Sequence, residues 1–356
     1  MNDKAPFFAR MSRRTNPKPT MKEVAVLAGV SVQTVSFVVN ANPIITQETR
    51  QRVLDAIQQL GYTPDASARS LRSGRSRVLG LLIPDVHNPH FWAILDGAEQ
   101  EARAHGYSLI LATTSMQRER ERQAFDALAR QHLDGLILLF TYPEDFSDDI
   151  ARLRQKRLPI VVDGTQFNDV DRVWFHYRAA ARELMEHLFA LGHRRIAFIQ
   201  GVGRLDFQAG QDRTDIFHKK MEEHGIPASD RIVLPCGNTL EDGFSTANQI
   251  LDRTPSPTAI VGMNDLMAYG AMQAALHRGL RVPEDVSIAG FDDDAMFRVL
   301  APPLTTGSVD GGAFGVQAVQ LILNRLQNPD LPPQKAHVPS RLEIRQSTGL
   351  CPHAVR

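Results

Sequence analysis

Residues 20–40 read TMKEVAVLAGVSVQTVSFVVN, and this stretch decides how the amino-terminal part of the chain folds. The apolar spacing predicts a short helix, a turn at Gly29 and a second helix. Glycine accepts the positive φ of such a turn at little cost. Ala25 is small where two helices must cross closely, and Val35 faces inward on the second helix. The pattern predicts a helix-turn-helix.

The second helix has its own start signal and a distinct outward face. The hydroxyl of Ser31 is placed to accept a hydrogen bond from an amide of the first turn, as helix-capping side chains do. An ordinary helical hairpin would show the same apolar spacing, but it would not need the small residue, the glycine and the cap in this order. The residues that point outward near the start of this helix are Val32, Gln33, Thr34, Ser36 and Phe37.

The charge of the chain is divided unevenly between its two ends. The 356 residues have a formal net charge of zero. Residues 1–78, however, contain twelve basic and five acidic side chains, so their net charge is +7 and that of the remainder is −7. A solvated charged surface would not normally be confined to one end. A basic head on an acidic body favours salt-dependent contact of the head with phosphates.

Length and cysteine usage restrict the class of protein. A chain of 356 residues allows two to three domains with ample core. Cys236 and Cys351 have no metal-ligand spacing and form no disulfide framework, which suits a reducing compartment. No apolar segment follows the basic residues of the first twenty positions, and no run reaches the roughly 20 apolar residues of a membrane-spanning helix. We therefore expect a cytoplasmic protein with no membrane contact and a flexible basic tail at residues 1–19.

A third helix and a short basic segment complete the head. Thr46 is placed to cap the third helix, which ends at Gly61, so we expect the helix-turn-helix domain to cover residues 20–63. Residues 64–77, PDASARSLRSGRSR, are compatible with a helix of about two turns, which would be marginal in isolation. One interpretation is a plain charged linker. The other is a hinge helix that becomes ordered on DNA and inserts Leu71 into the minor groove.

From Val78 onward, continuous apolar runs alternate with helix-length amphipathic segments. The runs include VLGLLIP (78–84), YSLILAT (107–113), GLILLF (135–140) and VSIAGF (286–291). Uniformly apolar strands between helices indicate parallel sheets that are covered on both faces. Residues 78–349 are too many for one such sheet. We therefore expect two α/β lobes, with a ligand cleft between them at the carboxyl ends of the strands.

Taken together, these parts resemble the LacI/GalR family of bacterial transcription regulators over residues 20–349. The similarity is carried by AGVSVQTVSFVVN (28–40), GYTPDASARSLRSGRS (61–76), GLLIPDVHNPHF (80–91), NDLMAYGAMQAALHRGLRVPEDVSIAGFDD (264–293) and APPLTTGSVD (301–310). The resemblance implies a small all-α DNA-binding head on an α/β body of the periplasmic-binding-protein type. It also implies a homodimer, with a tetramer as the alternative, on a partly palindromic double-stranded DNA operator.

The resemblance further implies how the body is divided. We expect a first lobe at about 78–175 and 305–336, a second lobe at about 176–304 and 337–349, and a carboxyl-terminal tail at 350–356. The small-molecule effector would bind between the two lobes.

For the head, the resemblance assigns base reading to three positions of the second helix, Val32, Gln33 and Phe37. The amide of Gln33 can pair bidentately with adenine in the major groove. Family members often have arginine or histidine where this chain has Phe37, which can press on a thymine methyl but cannot make the bidentate guanine contact. Packing within the head is the alternative role for Phe37. The full set of expected DNA-binding residues is Thr20, Ser31, Val32, Gln33, Thr34, Ser36, Phe37, Asn40, Arg69 and Leu71, of which Ser31, Thr34, Ser36 and Asn40 would bond phosphates.

For the body, the resemblance assigns an effector site to a carboxylate after a strand, an amide–acid pair that begins a helix, and an arginine. The expected effector-binding residues are His90, Phe91, His176, Arg213, Asn264, Asp265 and Asp292. Such groups suit a sugar-like or polyol-like ligand, and Arg213 would equally suit a carboxylate or a phosphate. Many relatives have an Asp-Asn pair where this chain reads Phe175-His176-Tyr177, so the resemblance leaves the identity of the effector open.

Enzyme classes find little support. The chain has no GxxxxGK[ST] loop, no GxGxxG after a strand, no GxSxG elbow and no HExxH. Asp292 to Asp294 and the pair His87 and His90 lack partners at metal-ligand spacing. We expect no catalytic residues, no cofactor and no metal.

Two functions of different classes fit these observations. One is a sequence-specific DNA-binding regulator, in the first place a repressor, whose effector (a sugar, sugar acid or related metabolite) changes the angle between the lobes and thereby the ordering of the hinge helices. The other is a solute-binding protein with a vestigial DNA-binding head.

Overall fold

The computed structural model describes residues 19–39, 42–63, 74–201 and 208–352. Contacts between residues divide the chain into two units, a head that ends at Ser76 and a body that begins at Arg77. Each unit has its own hydrophobic core.

The head consists of three helices, α1 (Met21–Ala28), α2 (Val32–Val39) and α3 (Gln47–Leu60). Thr20 and Glu23 form a capping box at the start of α1, in which the Glu23 carboxylate accepts from the Thr20 amide at 2.6 Å. Gly29 ends α1 with a φ of 64°. The Thr34 amide donates to the Ser31 hydroxyl at 3.1 Å, so Ser31 caps α2. The predicted helix-turn-helix is confirmed.

Small apolar side chains hold the three helices together. The buried residues are Val24, Ala25, Ala28, Val35, Val38, Val53, Ala56 and Tyr62. Helices α1 and α2 have only eight residues each, so neither would be stable alone, and their contacts with this core stabilise them.

Among the described residues, no single helix is long and apolar enough to cross a bilayer. Helices α1 and α2 together have sufficient length and apolar content, but they are bent by 103° relative to each other.

The body alternates strands and helices along the described chain. Its strands are β1 (Val78–Ile83), β2 (Ser108–Thr113), β3 (Gly135–Leu138), β4 (Ile160–Asp163), β5 (Asp171–His176), β6 (Ile196–Gly201), β7 (Ile232–Cys236), β8 (Ala259–Gly262), β9 (Ser287–Asp292), β10 (Thr305–Val309) and β11 (Lys335–Glu343). Its α-helices are α4 (Pro89–Ala104), α5 (Arg118–Ala129), α6 (Ser147–Gln155), α7 (Arg178–Ala190), α8 (Gln208–Glu223), α9 (Leu240–Leu251), α10 (Asp265–His277) and α11 (Gly311–Gln327).

One strand joins the two halves of the sheet, whose order is β2-β1-β3-β4-β5-β11-β10-β9-β8-β6-β7. The first part of β11, Lys335–Pro339, pairs with β5 in parallel. The second part, Ser340–Glu343, pairs with β10 in antiparallel fashion. Strands β6 to β10 therefore run opposite to β1 to β5, and the carboxyl ends of both sets face each other at the cleft.

Two details differ from the sequence-based expectation. The sheet is mixed rather than purely parallel, because β11 reaches across both lobes. Residues 305–309, which we expected in the first lobe, form β10 and pair with β9 of the second lobe. The chain returns to the first lobe only with α11, which lies against α4.

Helices α4 and α11 approach each other so closely that glycine is required. A Cβ atom on Gly315 would lie 2.2 Å from the Ile94 carbonyl oxygen and 2.5 Å from the Ala98 amide nitrogen. A Cβ on Gly97 would lie 2.2 Å from the Gly312 carbonyl oxygen. Both obstacles are backbone atoms, so no side-chain rotation relieves the clash.

We therefore expect Gly315→Ala to lower the free energy of unfolding by about 1–3 kcal/mol, because the two helices must move apart. Gly312→Ala is the matched control, since its Cβ would lie 3.3 Å from the Asp310 carboxylate and 3.9 Å from the Ala93 carbonyl oxygen, with no backbone atom closer than ordinary contact. Denaturant unfolding of both variants measures the difference. Equal midpoints for the two variants would contradict the proposed close packing.

Candidate functional site

The outward face of α2 is available for contact with another molecule. Val32 has 40% of its surface exposed, and Gln33 is exposed beside it. Phe37 is half-buried and is not among the apolar residues that pack against the head core. This arrangement favours contact with an external surface over packing within the head.

Other predicted DNA-binding residues have structural roles in the head. The Thr20 side chain belongs to the capping box of α1. The Ser31 hydroxyl lies 2.9 Å from that of Thr34, at the start of α2. Ser36 is half-buried on α2. Asn40, Arg69 and Leu71 lie outside the described residues.

The carboxyl ends of the strands enclose a cavity of about 80 Å³ between the lobes. Of the predicted effector-binding residues, His90, Phe91, Arg213, Asn264 and Asp292 line it. Its other lining residues include Asn88, Met116, Phe140, Asp163, Phe175, Tyr177 and Met263. The structure thus brings five residues from distant parts of the sequence to one place.

Asp292 is at the centre of this cavity's polar contacts. It is buried, and its carboxylate accepts a hydrogen bond from the Tyr177 hydroxyl at 2.5 Å. The Arg213 guanidinium lies 3.5 Å from the same carboxylate oxygen, and His90 Nδ1 lies 3.9 Å from it. Arg213 is stacked over the rings of Tyr177, at 4.2 Å, and Phe291, at 5.5 Å.

Arg213 retains binding capacity in this arrangement. Its side chain is 11% exposed, and its Nε atom is buried without a hydrogen-bond partner among the described residues. A buried donor without an acceptor is costly. The position therefore suits a ligand that brings an oxygen acceptor.

Two predicted effector-binding residues do not line the cavity. His176 is exposed, because successive side chains of β5 point to opposite faces and it is Phe175 and Tyr177 that face inward. Asp265 is fully buried, and its two carboxylate oxygens accept from the Thr306 hydroxyl at 2.6 Å and the Asp294 amide at 3.0 Å. Asp265 therefore supports the loop that carries Asp292 instead of facing a ligand.

Nine of the fourteen lining residues are not among those predicted, and for three of the nine, Asp163, Phe175 and Tyr177, the sequence contained a signal. Strand alternation alone would have identified Phe175 and Tyr177 in place of His176. Asp163 is the last residue of β4 and lies at the cleft. A carboxylate at the carboxyl end of a strand indicates a cleft residue, but the same position is found in ligand-binding and in catalytic clefts.

A larger cleft of about 1040 Å³ shares His90 and Asp292 with this cavity. Its charged groups are largely paired with one another. Arg298 and Arg345 hold Asp293 at 3.0 and 2.6 Å, and Arg341 holds Glu343 at 2.6 Å. We therefore place the candidate effector site in the smaller cavity, where an unsatisfied donor meets aromatic rings.

Burial shifts the protonation of the cavity. Burial lowers the pKa of His90, although Asp292 opposes this effect, so the imidazole is neutral at neutral pH. Burial and the neighbouring Asp292 charge raise the pKa of the Tyr177 hydroxyl, which keeps it a hydrogen-bond donor. Burial raises the pKa of Asp163 to about 7, against a lowering contribution from the Gly164 amide.

Within the described ranges no group of three or more His, Cys, Asp or Glu side chains is arranged to hold a metal ion.

A helix-turn-helix head on a two-lobed body with a closed polar cleft defines a class, the ligand-controlled DNA-binding regulators. Comparison with known proteins narrows this class to a family. The model of bacterial regulatory proteins of the lacI family matches residues 20–65, and that of the periplasmic binding protein-like domain matches residues 185–348. The HTH-type transcriptional repressor PurR of Haemophilus influenzae (strain PittEE) is 35% identical over 87% of this chain and 92% of its own length. The chain belongs to the lacI family of bacterial regulatory proteins.

Solved structures support the same assignment over nearly the whole chain. The Lac repressor dimer bound to operator and the anti-inducer ONPF is 28% identical, with a TM-score of 0.80, and covers 93% of this chain and 99% of its own. A complex of the transcriptional regulator CelR with cellobiose is 28% identical, with a TM-score of 0.68, over 92% of this chain and 99% of its own. The protein is a DNA-binding transcriptional regulator with an effector-binding body. A solute-binding protein with a vestigial head is not supported, because the similarity includes the head.

The raised pKa of Asp163 predicts a pH dependence of stability. The folded-state pKa of about 7 exceeds the ordinary value of 3.8, so this carboxyl contributes most below about pH 4 and its contribution is lost as pH rises through 7. We expect Asp163→Asn to be more stable than the unmodified protein at pH 8 by at least about 1 kcal/mol, and to show no such advantage at pH 4.

Unfolding midpoints at pH 4, 6 and 8 test this expectation. The exposed carboxylate Asp230 gives the control variant, Asp230→Asn, which should follow the unmodified protein at each pH. A gain for Asp163→Asn that is the same at all three pH values would show that the charge of Asp163 is not its cause.

Proposed function

We propose that the protein is a homodimeric repressor that binds a partly palindromic operator through two heads, under the control of a small molecule held in the cavity around Asp292. The observation that carries this proposal is the convergence of Arg213, Asp292 and His90 on one closed cavity in a chain whose head exposes Gln33.

Base reading is assigned to α2 on the basis of its exposed side chains. Gln33 offers an amide that pairs with adenine in the major groove. Val32 and Phe37 offer apolar surface for a thymine methyl. A helix whose opposite face, with Val35 and Val38, is fixed in the head core presents these groups in a defined register.

Phosphate contacts are assigned to the polar groups that flank this face. Ser31 and Thr34 lie at the amino-terminal end of α2, where unpaired backbone amides favour an anion. We also assign phosphate contacts to Ser36 and Asn40, which follow in the sequence, and to Thr20 at the start of α1. For the hinge we retain Arg69 as a phosphate contact and Leu71 as the residue that enters the minor groove.

The chemistry of the cavity favours a hydroxyl-bearing metabolite with an acceptor group near Arg213. Asp292, Asn88 and Asp163 suit hydroxyl donors, while Phe91 and Phe175 provide flat apolar surfaces. The related regulator that binds cellobiose supports a sugar-like ligand. The buried, unsatisfied Nε of Arg213 favours a sugar acid or a similar anion as the second candidate.

Control by the effector follows from the size of the cavity. About 80 Å³ is well below the roughly 300–1,000 Å³ of ordinary ligand pockets, so the lobes must separate to admit a metabolite. The effector then stabilises a state of the body with a different angle between the lobes. An effector that binds the two states with different affinity changes the operator affinity. The coupling free energy is reciprocal, so operator binding changes the effector affinity by the same factor.

We assign the helix-turn-helix domain to residues 20–63, the hinge to 64–77 and the effector-binding body to 78–349. Within the body, we assign residues 305–309 to the second lobe, because they pair with β9. The protein works by binding and not by catalysis, in the bacterial cytoplasm on nucleoid DNA.

The role of Gln33 is tested by Gln33→Ala. Losing one bidentate contact should cost about 1–3 kcal/mol at a single operator position and relax the base preference there. Selection of bound sequences from a random duplex pool measures it. The control is Gln58→Ala, an exposed glutamine on α3. Uniform weakening across all sequences would instead mean that Gln33 touches only the backbone.

The effector site is tested by thermal unfolding of the full chain with sugars, sugar acids, polyols and nucleosides. A true effector at about 100 times its dissociation constant should stabilise the protein by roughly 2.7 kcal/mol. Asp292→Asn, which tolerates the φ of 109° at this position, should lose this effect. His176→Ala, which removes an exposed side chain outside the cavity, should keep it. The reverse pattern would move the site to the other face of β5.

A further inference from the structure

One edge of the first lobe collects the amino-terminal ends of its strands, and we call it the entry edge. Strands β1, β3, β4, β5 and β11 run parallel, so the segments that precede them lie side by side. Backbone hydrogen bonds connect these segments, from the Asp134 amide to Val78 (2.8 Å), from Leu136 to Pro159 (2.9 Å) and from Arg172 to Gln334 (3.0 Å). The chain also enters the body here, since β1 is its first strand.

The entry edge carries exposed cations in front of four of its strands. These residues are Arg77, Arg130, Lys156, Arg157 and Lys335. Among the described residues, only Arg157 has an acidic side chain within 4 Å of its charged group. That partner is Asp330, at 3.9 Å, and the two side chains are 77% and 90% exposed. A pair so exposed contributes little.

Most other carboxylates near this edge are already paired with further arginines. Arg325 holds Asp171 at 2.7 Å, Asp169 is paired with Arg154, and Arg122 lies 4.0 Å from Asp126 and 2.6 Å from Asp149. Asp134 is buried and accepts from the Arg77 amide at 3.1 Å, so it offsets one of the cations. The edge is therefore locally positive, although the body as a whole has more acidic than basic residues.

Backbone conformation gives a second, independent observation. Arg77 and Arg157 both have a φ of 58°, in the left-handed region that L-residues avoid at a cost of roughly 1 kcal/mol. Just beyond α4, α8 and α10 the chain has glycine at such a φ, at Gly106, Gly225 and Gly279. At the entry edge the chain has arginine where glycine would be more stable. Among the described residues the other non-glycine positions at positive φ are Ser115, Met116, Asp292 and Asp293, of which Met116 and Asp292 line the candidate effector cavity. A residue kept against its conformational preference points to a role beyond folding.

The length of the entry edge suits contact with an extended polyanion. From β1 to β11 the edge crosses four inter-strand gaps of roughly 4.8 Å, or about 19 Å in all. Duplex DNA carries one phosphate charge per roughly 1.7 Å of its axis. Several phosphates of one duplex segment can therefore face the edge together.

We propose that the entry edge of the body binds the phosphate backbone of duplex DNA beyond the bases that the head reads. This second contact rests on the proposed operator binding by the head and adds affinity without sequence preference. It would lengthen the region that the protein covers on DNA and steepen the salt dependence of binding.

The test is the variant Arg157→Gly/Lys335→Gln, bound to an operator duplex extended by several helical turns on each side. The slope of log K against log salt is negative, and each lost phosphate contact makes it shallower by about 0.9. The slope of the double variant should therefore be shallower by about 1.8. Between 50 and 200 mM salt, its loss of affinity should then be roughly tenfold smaller than that of the unmodified protein. Arg157→Gly relieves the left-handed strain, so its unfolding midpoint should not fall.

The matched control is Arg195→Gln/Arg253→Gln, which removes two exposed arginines that precede β6 and β8 in the second lobe. This control should keep the original slope. An unchanged slope in the entry-edge variant, or an equal loss in the control, would overturn the proposal. If the unmodified protein prefers no sequence at all, operator binding by the head fails, and the entry-edge contact fails with it.

Discussion

The buried carboxylate of Asp292 is the constraint on which the cleft depends. A charge removed from water must be compensated by partners, and Tyr177, Arg213 and His90 converge on it from three separate segments. These contacts connect separate segments of the body across the cavity. Under the proposed function, a metabolite with its own hydroxyls and acceptor would replace some of these contacts and so change what holds the lobes together.

The neighbouring residue connects this cavity to the strand that joins the lobes. Asp293 follows Asp292 with a φ of 64°, and its carboxylate is held by Arg298 and Arg345. Arg345 lies two residues beyond β11, whose two halves pair with different lobes. Two consecutive non-glycine residues with positive φ form a loop that cannot easily accommodate a displacement. A movement of Asp292 therefore reaches β11 through one peptide bond and one ion pair.

The sequence predicted the head more completely than the cleft, for a physical reason. The capping residues Ser31 and Thr46 and the turn at Gly29 act on groups three or four positions away, so local pattern determines them. The cleft is assembled from residues up to about 200 positions apart, and the resemblance located Arg213 and Asp292 without indicating their partners. His176 does not line the cavity, because side chains alternate along β5 and its neighbours Phe175 and Tyr177 face inward. Asp265 does not line it either, because its carboxylate accepts hydrogen bonds from the Thr306 hydroxyl and the Asp294 amide, which only the fold brings near it.

The lacI-family architecture separates sequence recognition from its control. The head has three short helices around a core of mostly valine and alanine, so its folding is marginal, and binding of DNA to the folded head stabilises it by mass action. The body has a much larger core that does not depend on the head. In a dimer, the second head binds at an effective concentration set by how the bodies present the two heads. A change of lobe angle that lowers this concentration weakens operator binding even if each head keeps all of its own contacts with DNA. The proposed effector site around Asp292 therefore requires no continuous chain of side chains leading to α2 in order to control DNA binding.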